Sequence, residues 1–207
     1  MSASANETTA PRRRLPPEER RAQLLAIALD VFAERGLGAA RHAEIAERAD
    51  VAVSTTFVYF PTREQLVEDV LDEVARFFIE RLEQAHGQEK PCVDILREVG
   101  EGFLDLLHTH RSHVLLWLEW GAAVRDEVWP RYRAFTERAV AITRRTLERG
   151  QREGAVAPDA DTESLARLFA SSSQSIARLQ LGDVDRETIR RFQDTVLRAI
   201  VTEDALR

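Results

Sequence analysis

Apolar residues recur at helical spacing along almost the whole chain of 207 residues, and this pattern restricts the fold more than any other feature. In the first such segment Leu24, Ala28 and Val31 lie three or four positions apart, behind Pro17 and ahead of Gly36. This spacing puts apolar side chains on one face of a helix. No segment alternates apolar and polar residues for long enough to form a convincing strand. The sequence therefore predicts an all-α protein of about nine helices.

Residues that cap or stop helices divide the rest of the chain into segments. Thr62 and Gln65 fit the N-cap and N3 positions of a capping box, and Asp161 and Asp185 fit two further N-caps. The predicted helices after the first are, in order, about 42–49, 53–60, 63–87, 92–109, 111–124, 130–152, 162–181 and 185–203.

Charge is distributed unevenly along the chain. The chain holds 29 Lys and Arg against 35 Asp and Glu, a net charge of −6. Residues 1–63 carry a net charge of +1, and residues 64–207 carry a net charge of −7. The acidic total excludes a protein that coats nucleic acid by charge alone, but the first part of the chain leaves sequence-directed DNA binding open.

Several functional classes are not expected from this sequence. Apolar runs are only a few residues long, so no transmembrane helix is predicted, and the N-terminus lacks the apolar core of a secretory signal. Cys92 stands alone, which excludes an intrachain disulfide and a thiolate zinc site. Among the histidines, His108 and His110 do not share a helix face, so a metal site is not predicted. We expect a cytoplasmic protein that is not an enzyme and needs no cofactor, since neither a nucleophile elbow nor a phosphate-binding glycine loop is present.

Two short predicted helices, at about 42–49 and 53–60, are separated by a tight turn at Asp50. Aspartate tolerates the left-handed backbone conformation that such a turn needs. This arrangement is typical of a helix-turn-helix, in which the second short helix enters the major groove of DNA. We expect Val51 and Phe57 to pin that second helix to the first helix of the chain.

The second short helix would then point its remaining side chains away from the module. The hydroxyls of Ser54 and Thr55 suit base edges or phosphates, whereas Val58 offers only apolar contact, for instance with a thymine methyl. Tyr59 and Arg63 lie where they can reach phosphates. From spacing alone, the alternative remains that the hydroxyls merely cap a short helix.

The chain resembles the DNA-binding domain of TetR-family transcriptional regulators in the stretch HAEIAERADVAVSTTFVYFPTREQLVEDVL. It further resembles the quorum-sensing master regulators of vibrios, the LuxR/HapR/SmcR branch of that family, in RRRLPPEERRAQLLAIALDVFAERGLG, YFPTREQLV and WLEWGAAVRDEVWP. The resemblance begins at Pro11 and continues through the second half of the chain. It implies a sequence-specific regulator that binds a pseudo-palindromic operator as a dimer, with a quorum-sensing-type global role.

The resemblance also implies an N-terminal arm that enters the minor groove through Arg12 and Arg14, although these arginines alone would equally suit a solvated tail. Relatives carry an Asn at the position of Val58 and a small residue at the position of Arg41. We therefore expect a related but not identical operator, with Arg41 adding a phosphate contact. The full set of expected DNA contacts is Arg12, Arg14, Arg41, His42, Ser54, Thr55, Thr56, Val58, Tyr59 and Arg63.

The second part of the chain has features typical of a small-molecule pocket. Its three tryptophans fall within 13 positions, Gly100 and Gly102 interrupt a helical pattern, and residues 171–175 form a polar run inside a helix. Such glycines mark either close helix packing or open space. The resemblance implies a hydrophobic cavity, and the alternative is ordinary core. The matching residues are Phe78, Leu82, Trp117, Leu118, Val140 and Ser173.

Two of those residues differ from the relatives, because Leu118 replaces an aromatic residue and Val140 replaces an amide. We therefore expect a cavity of different shape that is less polar at one end. Whether a natural effector exists stays open at this point.

The last two predicted helices carry long apolar faces that suit a four-helix interface with a symmetry mate, or equally a face buried within one chain. Three parts of the chain are expected: a flexible basic arm at residues 1–14, a helix-turn-helix domain at 15–62, and a ligand-binding and dimerisation domain at 63–207.

The first alternative function is a local repressor of efflux or catabolic genes that an apolar small molecule releases from DNA. The second is a carrier of apolar molecules that does not bind DNA.

Overall fold

The computed structural model describes residues 15–124 and 127–207, and within these ranges it contains nine α-helices and no strand. This confirms the predicted all-α architecture. Arg12 and Arg14, and with them the expected basic arm, lie outside the described residues. The helices are α1 (Pro17–Arg35), α2 (His42–Ala49), α3 (Val53–Tyr59), α4 (Arg63–His86), α5 (Cys92–Thr109), α6 (Arg111–Ala122), α7 (Trp129–Glu153), α8 (Thr162–Leu181) and α9 (Arg186–Ile200), followed by a 3-10 turn, Asp204–Leu206.

The predicted N-caps hold the starts of three helices. The Thr62 hydroxyl accepts a hydrogen bond from the backbone N–H of Gln65, and the Asp161 and Asp185 carboxylates accept from backbone N–H groups in the first turns of α8 and α9. These bonds satisfy donors that have no partner inside a helix. The second half of the expected capping box, a bond from the Thr62 N–H to the Gln65 side chain, is not formed within the described residues, and the Gln65 side-chain amide donates to Asp69.

The turn between α2 and α3 has the conformation that the sequence predicts. Asp50 adopts φ 51° and ψ 53°, in the left-handed region, directly after α2. Gly36, after α1, has φ 83°, a backbone conformation that favours glycine. The chain passes from α1 to α2 through residues 36–41 and from α2 to α3 through residues 50–52, so both connections are short.

The longer helices pack around α4 and α7. Helix α4 contacts α1, α5, α6 and α7, while α8 lies between α7 and α9. One apolar core runs from α1 through α4 to α6 and includes the fully buried Phe32, Leu71 and Trp120. A second core joins α5, α7, α8 and α9 around Leu96 and Leu147. Helix α6 also packs along α1, and this contact connects the first three helices to the rest of the molecule.

Across the described ranges, none of the helices combines the length and the apolar character that crossing a membrane requires.

Candidate DNA interface and apolar cavity

Helix α3 presents four of the expected contact residues together. Ser54 and Val58 lie one helical turn apart and are exposed, and 75% of the Val58 surface is accessible. Thr55 and Tyr59 lie beside them, one turn apart from each other, and are half-buried. Helix α3 therefore presents two hydroxyls, one aliphatic group and one phenol along one side of the helix-turn-helix, hereafter called the turn motif, which comprises α2, the turn at Asp50 and α3.

Thr56 does not lie on that side, which corrects the expectation for this residue. Its side chain is fully buried, and its hydroxyl donates to the backbone carbonyl of Val53 at 2.7 Å. A side chain with no accessible surface cannot reach a base edge or a phosphate.

His42 was also expected at the interface, and the structure gives it a different place. The residue is buried, its Nε2 lies 2.8 Å from the carbonyl oxygen of Phe60, and its ring stacks on Phe57 at 4.2 Å. Because a carbonyl oxygen only accepts, Nε2 carries the proton in this bond. His42 thus joins the start of α2 to the end of α3 from inside the module.

Phe57 does not pin α3 to α1, contrary to expectation. It is 47% exposed and covers His42 on the outer side of the helix. The inward contacts come from Thr56 and Phe60, which are both fully buried, while Val51 packs against the core as expected.

The two arginines at the edges of the turn motif differ in their contacts. Arg41 occupies the N-cap position of α2 and is exposed, and no ion pair links it to any of the described residues. The Arg63 guanidinium donates to the backbone carbonyl of Leu37, so this side chain ties α4 to the loop before α2. A guanidinium has five N–H donors, which leaves others for a phosphate.

Other basic side chains nearby are neutralised by carboxylates. Arg48 donates to Glu34 at 2.8 Å and to Glu44 at 2.8 Å, and Arg35 also donates to Glu44. The hydrogen bond from Arg48 lowers the pKa of the Glu34 carboxyl. These pairs occupy much of the surface of α1 and α2, whereas neither Arg41 nor Arg63 forms an ion pair with any of the described residues.

The second candidate site is a cavity of about 400 Å³ enclosed by α4, α5, α6, α7 and α8. Most of its wall is aromatic or aliphatic. The structure places five of the six expected residues in that wall: Phe78, Leu82, Trp117, Val140 and Ser173. Leu118 is not part of it and instead packs against the main core, because one residue after Trp117 it points about 100° around α6.

The set of expected cavity residues lacks several that the structure places in the wall, on α5, α7 and α8. Phe103, Phe135, Tyr132 and Gln174 complete the enclosure. The signal for the α5 contribution was Gly102, since a Cβ added there would meet nothing within 4 Å. Both predicted roles for glycines within α5 occur, because a Cβ on Gly100 would lie 3.3 Å from the Gln193 side chain. Gly102 therefore leaves open space, and Gly100 allows close packing.

Two polar groups of the residues that line the cavity are buried without a hydrogen-bond partner, the Thr136 hydroxyl and the Trp117 indole. The indole Nε1 of Trp117 is buried without any hydrogen bond. In contrast, the indole of Trp120, one turn further along α6, donates to the backbone carbonyl of Val128 at 3.0 Å. A buried donor without an acceptor costs stability, and a ligand acceptor placed at Trp117 would remove that cost.

The polar run in α8 contributes to the cavity only in part. Ser171, Ser173 and Gln174 line it, whereas the buried Ser172 hydroxyl donates to the carbonyl of Phe169. Gln174 also donates to the Tyr132 hydroxyl at 2.5 Å. Burial raises the pKa of the Tyr132 phenol, so this hydroxyl stays protonated.

Helix α6 connects the cavity wall to the turn motif. Two residues after Trp117, Glu119 accepts a hydrogen bond from the backbone N–H of Leu37 at 2.8 Å. The carbonyl of the same residue, Leu37, accepts from Arg63. The Leu37 N–H is therefore bonded to α6 and the Leu37 carbonyl to α4. At the other end of α6, Ser112 donates to Asp30 of α1 at 2.7 Å.

The histidines near the junction of α5 and α6 pack against an aromatic ring. His110 and His113 both contact Phe77, with ring centroids 4.7 and 4.1 Å from it. Burial lowers the pKa of His113. Over residues 15–124 and 127–207, no group of three or more His, Cys, Asp and Glu side chains is placed to hold a metal ion.

The apolar faces of α8 and α9 are largely occupied within one chain. Six apolar residues of these two helices are buried within the chain: Phe169, Ile176, Ile189, Val196, Leu197 and Ile200. Leu168 and Leu181 remain exposed on α8. The within-chain alternative therefore accounts for most of this pattern, and the exposed leucines remain for any contact outside the chain.

Known proteins resemble this chain both in sequence and in fold. The sequence model of the bacterial regulatory proteins of the tetR family matches residues 24–70, which span α2 and α3. The chain is 37% identical to the HTH-type transcriptional regulator LuxR of Vibrio harveyi over 166 residues, 80% of this chain and 81% of LuxR. The matched relatives are named as transcriptional regulators and not as enzymes.

Two solved structures share the fold at 20% identity. The ketosteroid transcriptional regulator KstR2 of Mycobacterium tuberculosis superposes with a TM-score of 0.67 over 89% of this chain and 96% of its own. The regulator FadR of Bacillus subtilis, in complex with stearoyl-CoA, superposes with a TM-score of 0.73 over 87% and 97%. The helix-turn-helix, the family match and the identity to LuxR place this chain in the TetR family of bacterial regulatory proteins.

Proposed function

We propose that this protein is a sequence-specific transcriptional regulator that binds operator DNA through α3. The observation that carries this proposal is the exposed side of α3, where Ser54, Thr55 and Val58 stand on a helix fixed by the left-handed turn at Asp50. Hydroxyl and methyl groups match the hydrogen-bonding and apolar groups of base edges in the major groove. Arg41 supplies an uncompensated positive charge beside this helix for a phosphate.

The proposed division of the chain follows from these contacts. Residues 15–62 form the DNA-binding part, and residues 63–207 form the ligand-binding and dimerisation part. Two copies are needed because regulators of this family bind operators as dimers, with half-sites about 34–36 Å apart. Dimerisation would use the exposed leucines of α8, Leu168 and Leu181.

A selection from a random duplex library, followed by gel shift of the recovered sequence, tests this proposal. We expect selective binding by the wild-type chain and a loss of about 10-fold or more when Ser54, Thr55 and Tyr59 are all changed to alanine, since base and phosphate contacts are removed together. The control is Thr109→Ala, an exposed hydroxyl at the end of α5. Binding that is no tighter than to random DNA would overturn the proposal.

Arg41 allows a second, independent measurement. Removal of one phosphate contact lowers the slope of log affinity against log salt by about 1. We expect this change for Arg41→Ala and none for Arg97→Ala, an exposed arginine on α5. An unchanged slope for Arg41→Ala would remove the phosphate contact from the proposal.

Control by an apolar effector is the second candidate function, and the cavity with its unpartnered Trp117 N–H supports it. FadR in complex with stearoyl-CoA is an example of this fold with an acyl ligand. The path to DNA is α6, because Trp117 and Glu119 lie two residues apart and Glu119 holds Leu37 in the turn before α2. A ligand that favours one position of α6 would shift the population that binds DNA.

The candidate effector site is tested with two probes of the same shape, 4-phenylcyclohexanone and phenylcyclohexane. We expect the ketone to raise the melting temperature more than the hydrocarbon does, because its oxygen accepts from Trp117. Trp117→Phe keeps most of the ring and removes the N–H, so this preference should disappear. Failure of both probes to bind, or an unchanged preference in Trp117→Phe, would contradict the site.

The remaining parts of the proposal concern the cellular role. Similarity to LuxR of Vibrio harveyi favours a global, quorum-sensing-type regulator over a local repressor of efflux or catabolic genes. The protein would act in the cytoplasm, without catalysing a reaction. Binding of the ketone without any selective DNA binding would instead identify a carrier of apolar molecules.

A further inference from the structure

Helix α3 exposes an unusual amount of apolar surface. Six large apolar side chains are exposed in the described part of the chain, and three of them, Val53, Phe57 and Val58, belong to this helix of seven residues. The same helix buries a polar side chain, Thr56. An exposed apolar patch on a short helix marks a surface that contacts something else.

Phe57 is held in its exposed position and is not a loosely placed side chain. Its ring lies almost parallel to that of His42, with an interplanar angle of 7° and a centroid distance of 4.2 Å. His42 is itself fixed by the bond from Nε2 to the Phe60 carbonyl and by burial in α2. The stack therefore supports one face of the Phe57 ring, and almost half of the residue stays accessible.

The exposed residues form a continuous ridge, defined here as Val53, Phe57 and Val58. Val53 and Phe57 lie one turn apart, and Val58 follows Phe57 at about 100° around the helix. Ser54, between them in sequence, places a hydroxyl beside the ridge. The arrangement joins an apolar strip to hydrogen-bonding groups along one short helix.

We propose that Phe57 and Val58 read the C5-methyl groups of thymines in the major groove, and that His42 is a positioning residue for Phe57. This inference rests on the proposed function of α3. The thymine methyl is the apolar group that base pairs present in the major groove, and apolar side chains distinguish thymine from cytosine by contacting it. The polar neighbours of the ridge and the charge of Arg41 favour DNA over a protein partner on this surface.

The experiment removes the methyl groups from the DNA and leaves the protein unchanged. The duplex recovered by selection with the wild-type chain is resynthesised with single thymines replaced by deoxyuridine, which differs from thymine at C5 alone. We expect one or two positions in each half-site at which the affinity falls about fourfold, the factor for losing the burial of one methyl group. Replacement at the other thymines should change the affinity by less than the error of the measurement.

Variants then assign each sensitive position to a side chain. Val58→Ala and Phe57→Ala should each remove the sensitivity to deoxyuridine at one position and lower the affinity for the thymine duplex. Val124→Ala is the matched control, because Val124 is exposed to a similar extent after α6. We expect its pattern of sensitivity to equal that of the wild type.

The role of His42 has its own readout. His42→Gln keeps a hydrogen-bond donor but removes the ring that supports Phe57, so the sensitivity assigned to Phe57 should fall while that assigned to Val58 remains. A purely structural defect would instead weaken binding to the thymine and deoxyuridine duplexes equally. Melting curves by circular dichroism confirm that each variant is folded.

The outcomes separate this inference from the proposed function. Selective binding with a flat deoxyuridine scan overturns the methyl contact and leaves α3 as a DNA-binding helix. Sensitivity that persists unchanged in both Phe57→Ala and Val58→Ala overturns the assignment to the ridge. An absence of selective binding by the wild-type chain overturns the proposed function itself.

Discussion

Helix α3 and the cavity distribute polar and apolar groups in opposite ways. Helix α3 buries Thr56 and presents Phe57 and Val58 on its outside. The cavity has mostly apolar walls, and the N–H of its wall residue Trp117 is buried without an acceptor. Folded chains usually bury apolar side chains and pair their buried polar groups. Helix α3 departs from this on its outer surface, where DNA would bind, and the cavity departs from it inside the molecule, where a small molecule would bind.

The two regions also differ in what holds them. A helix of seven residues has little stability of its own, so α3 depends on the turn at Asp50 and on the contacts of His42 and Phe60. The cavity is framed by helices of 12 to 25 residues with extensive cores, which tolerate the lost contacts of an open space. Substitutions should therefore separate the two regions clearly.

The largest difference in the free energy of unfolding is expected between alanine variants of two phenylalanines at the end of α3. Phe60 is fully buried, so Phe60→Ala should lower the free energy of unfolding by about 3–5 kcal/mol. Phe57→Ala removes a half-exposed ring and should cost about 1 kcal/mol or less. Urea unfolding of both variants measures this difference, and equal losses would show that the ridge is part of the core.

Acid should destabilise the part of the molecule that frames the cavity. Burial lowers the pKa of His86 to about 4, and its Nδ1 lies 2.8 Å from the Thr146 hydroxyl. The folded state thus keeps His86 neutral where the unfolded chain is already protonated, so stability is lost as the pH falls from the ordinary histidine pKa of 6.5 towards 4. We expect a loss of about 2 kcal/mol between about pH 7 and about pH 5.

The control for this pH effect is His86→Gln, which removes the titrating group from the pair with Thr146. Its stability should change less over the same pH range than that of the wild type. The same slope in both proteins would assign the acid sensitivity to other groups.

A smaller difference in stability is expected between phenylalanine variants of two tryptophans in α6. Trp120→Phe removes the bond to the Val128 carbonyl and should lower the free energy of unfolding by about 1–3 kcal/mol. Trp117→Phe removes a donor that has no partner, so it should cost at least about 1 kcal/mol less. Equal costs in thermal unfolding would mean that the Trp117 indole is already satisfied in the apo protein.

The smallest expected effect is a gain in stability. Gly102→Ala meets no atom within 4 Å and improves helix propensity, so it should stabilise the protein by up to about 1 kcal/mol. Gly150→Ala is the matched control, because a Cβ there would lie 2.7 Å from the Cys92 sulfur and should destabilise. Destabilisation by Gly102→Ala would show that the space beside this glycine is not open.

Sequence patterns located the elements well and the orientation of side chains less well. The left-handed turn at Asp50 and the caps at Thr62, Asp161 and Asp185 depend on interactions within a few residues, which the sequence displays directly. The direction of Phe57 was not predictable in the same way. In a helix of two turns, Thr56 and Phe57 are both near the boundary between inside and outside, and the contact with His42 decides which side each takes.

The residues of the cavity wall were also predicted only in part. The resemblance to relatives named five of its wall residues, but it also named Leu118, which the structure places in the main core. Phe103, Phe135, Tyr132 and Gln174 come from three different helices, and nothing in their sequence spacing reports that they meet. Only the packing of α5, α7 and α8 brings them together.

By itself the sequence determined the nine helices, the turn motif and the family, because helix periodicity, capping and turn chemistry are local properties of the chain. The tertiary structure decided which side chains of α3 face outward, which residues enclose the cavity and which buried groups lack a partner. Those features depend on contacts between residues distant in sequence, such as Glu119 with Leu37 and Gln174 with Tyr132. Such contacts exist only after the helices have packed.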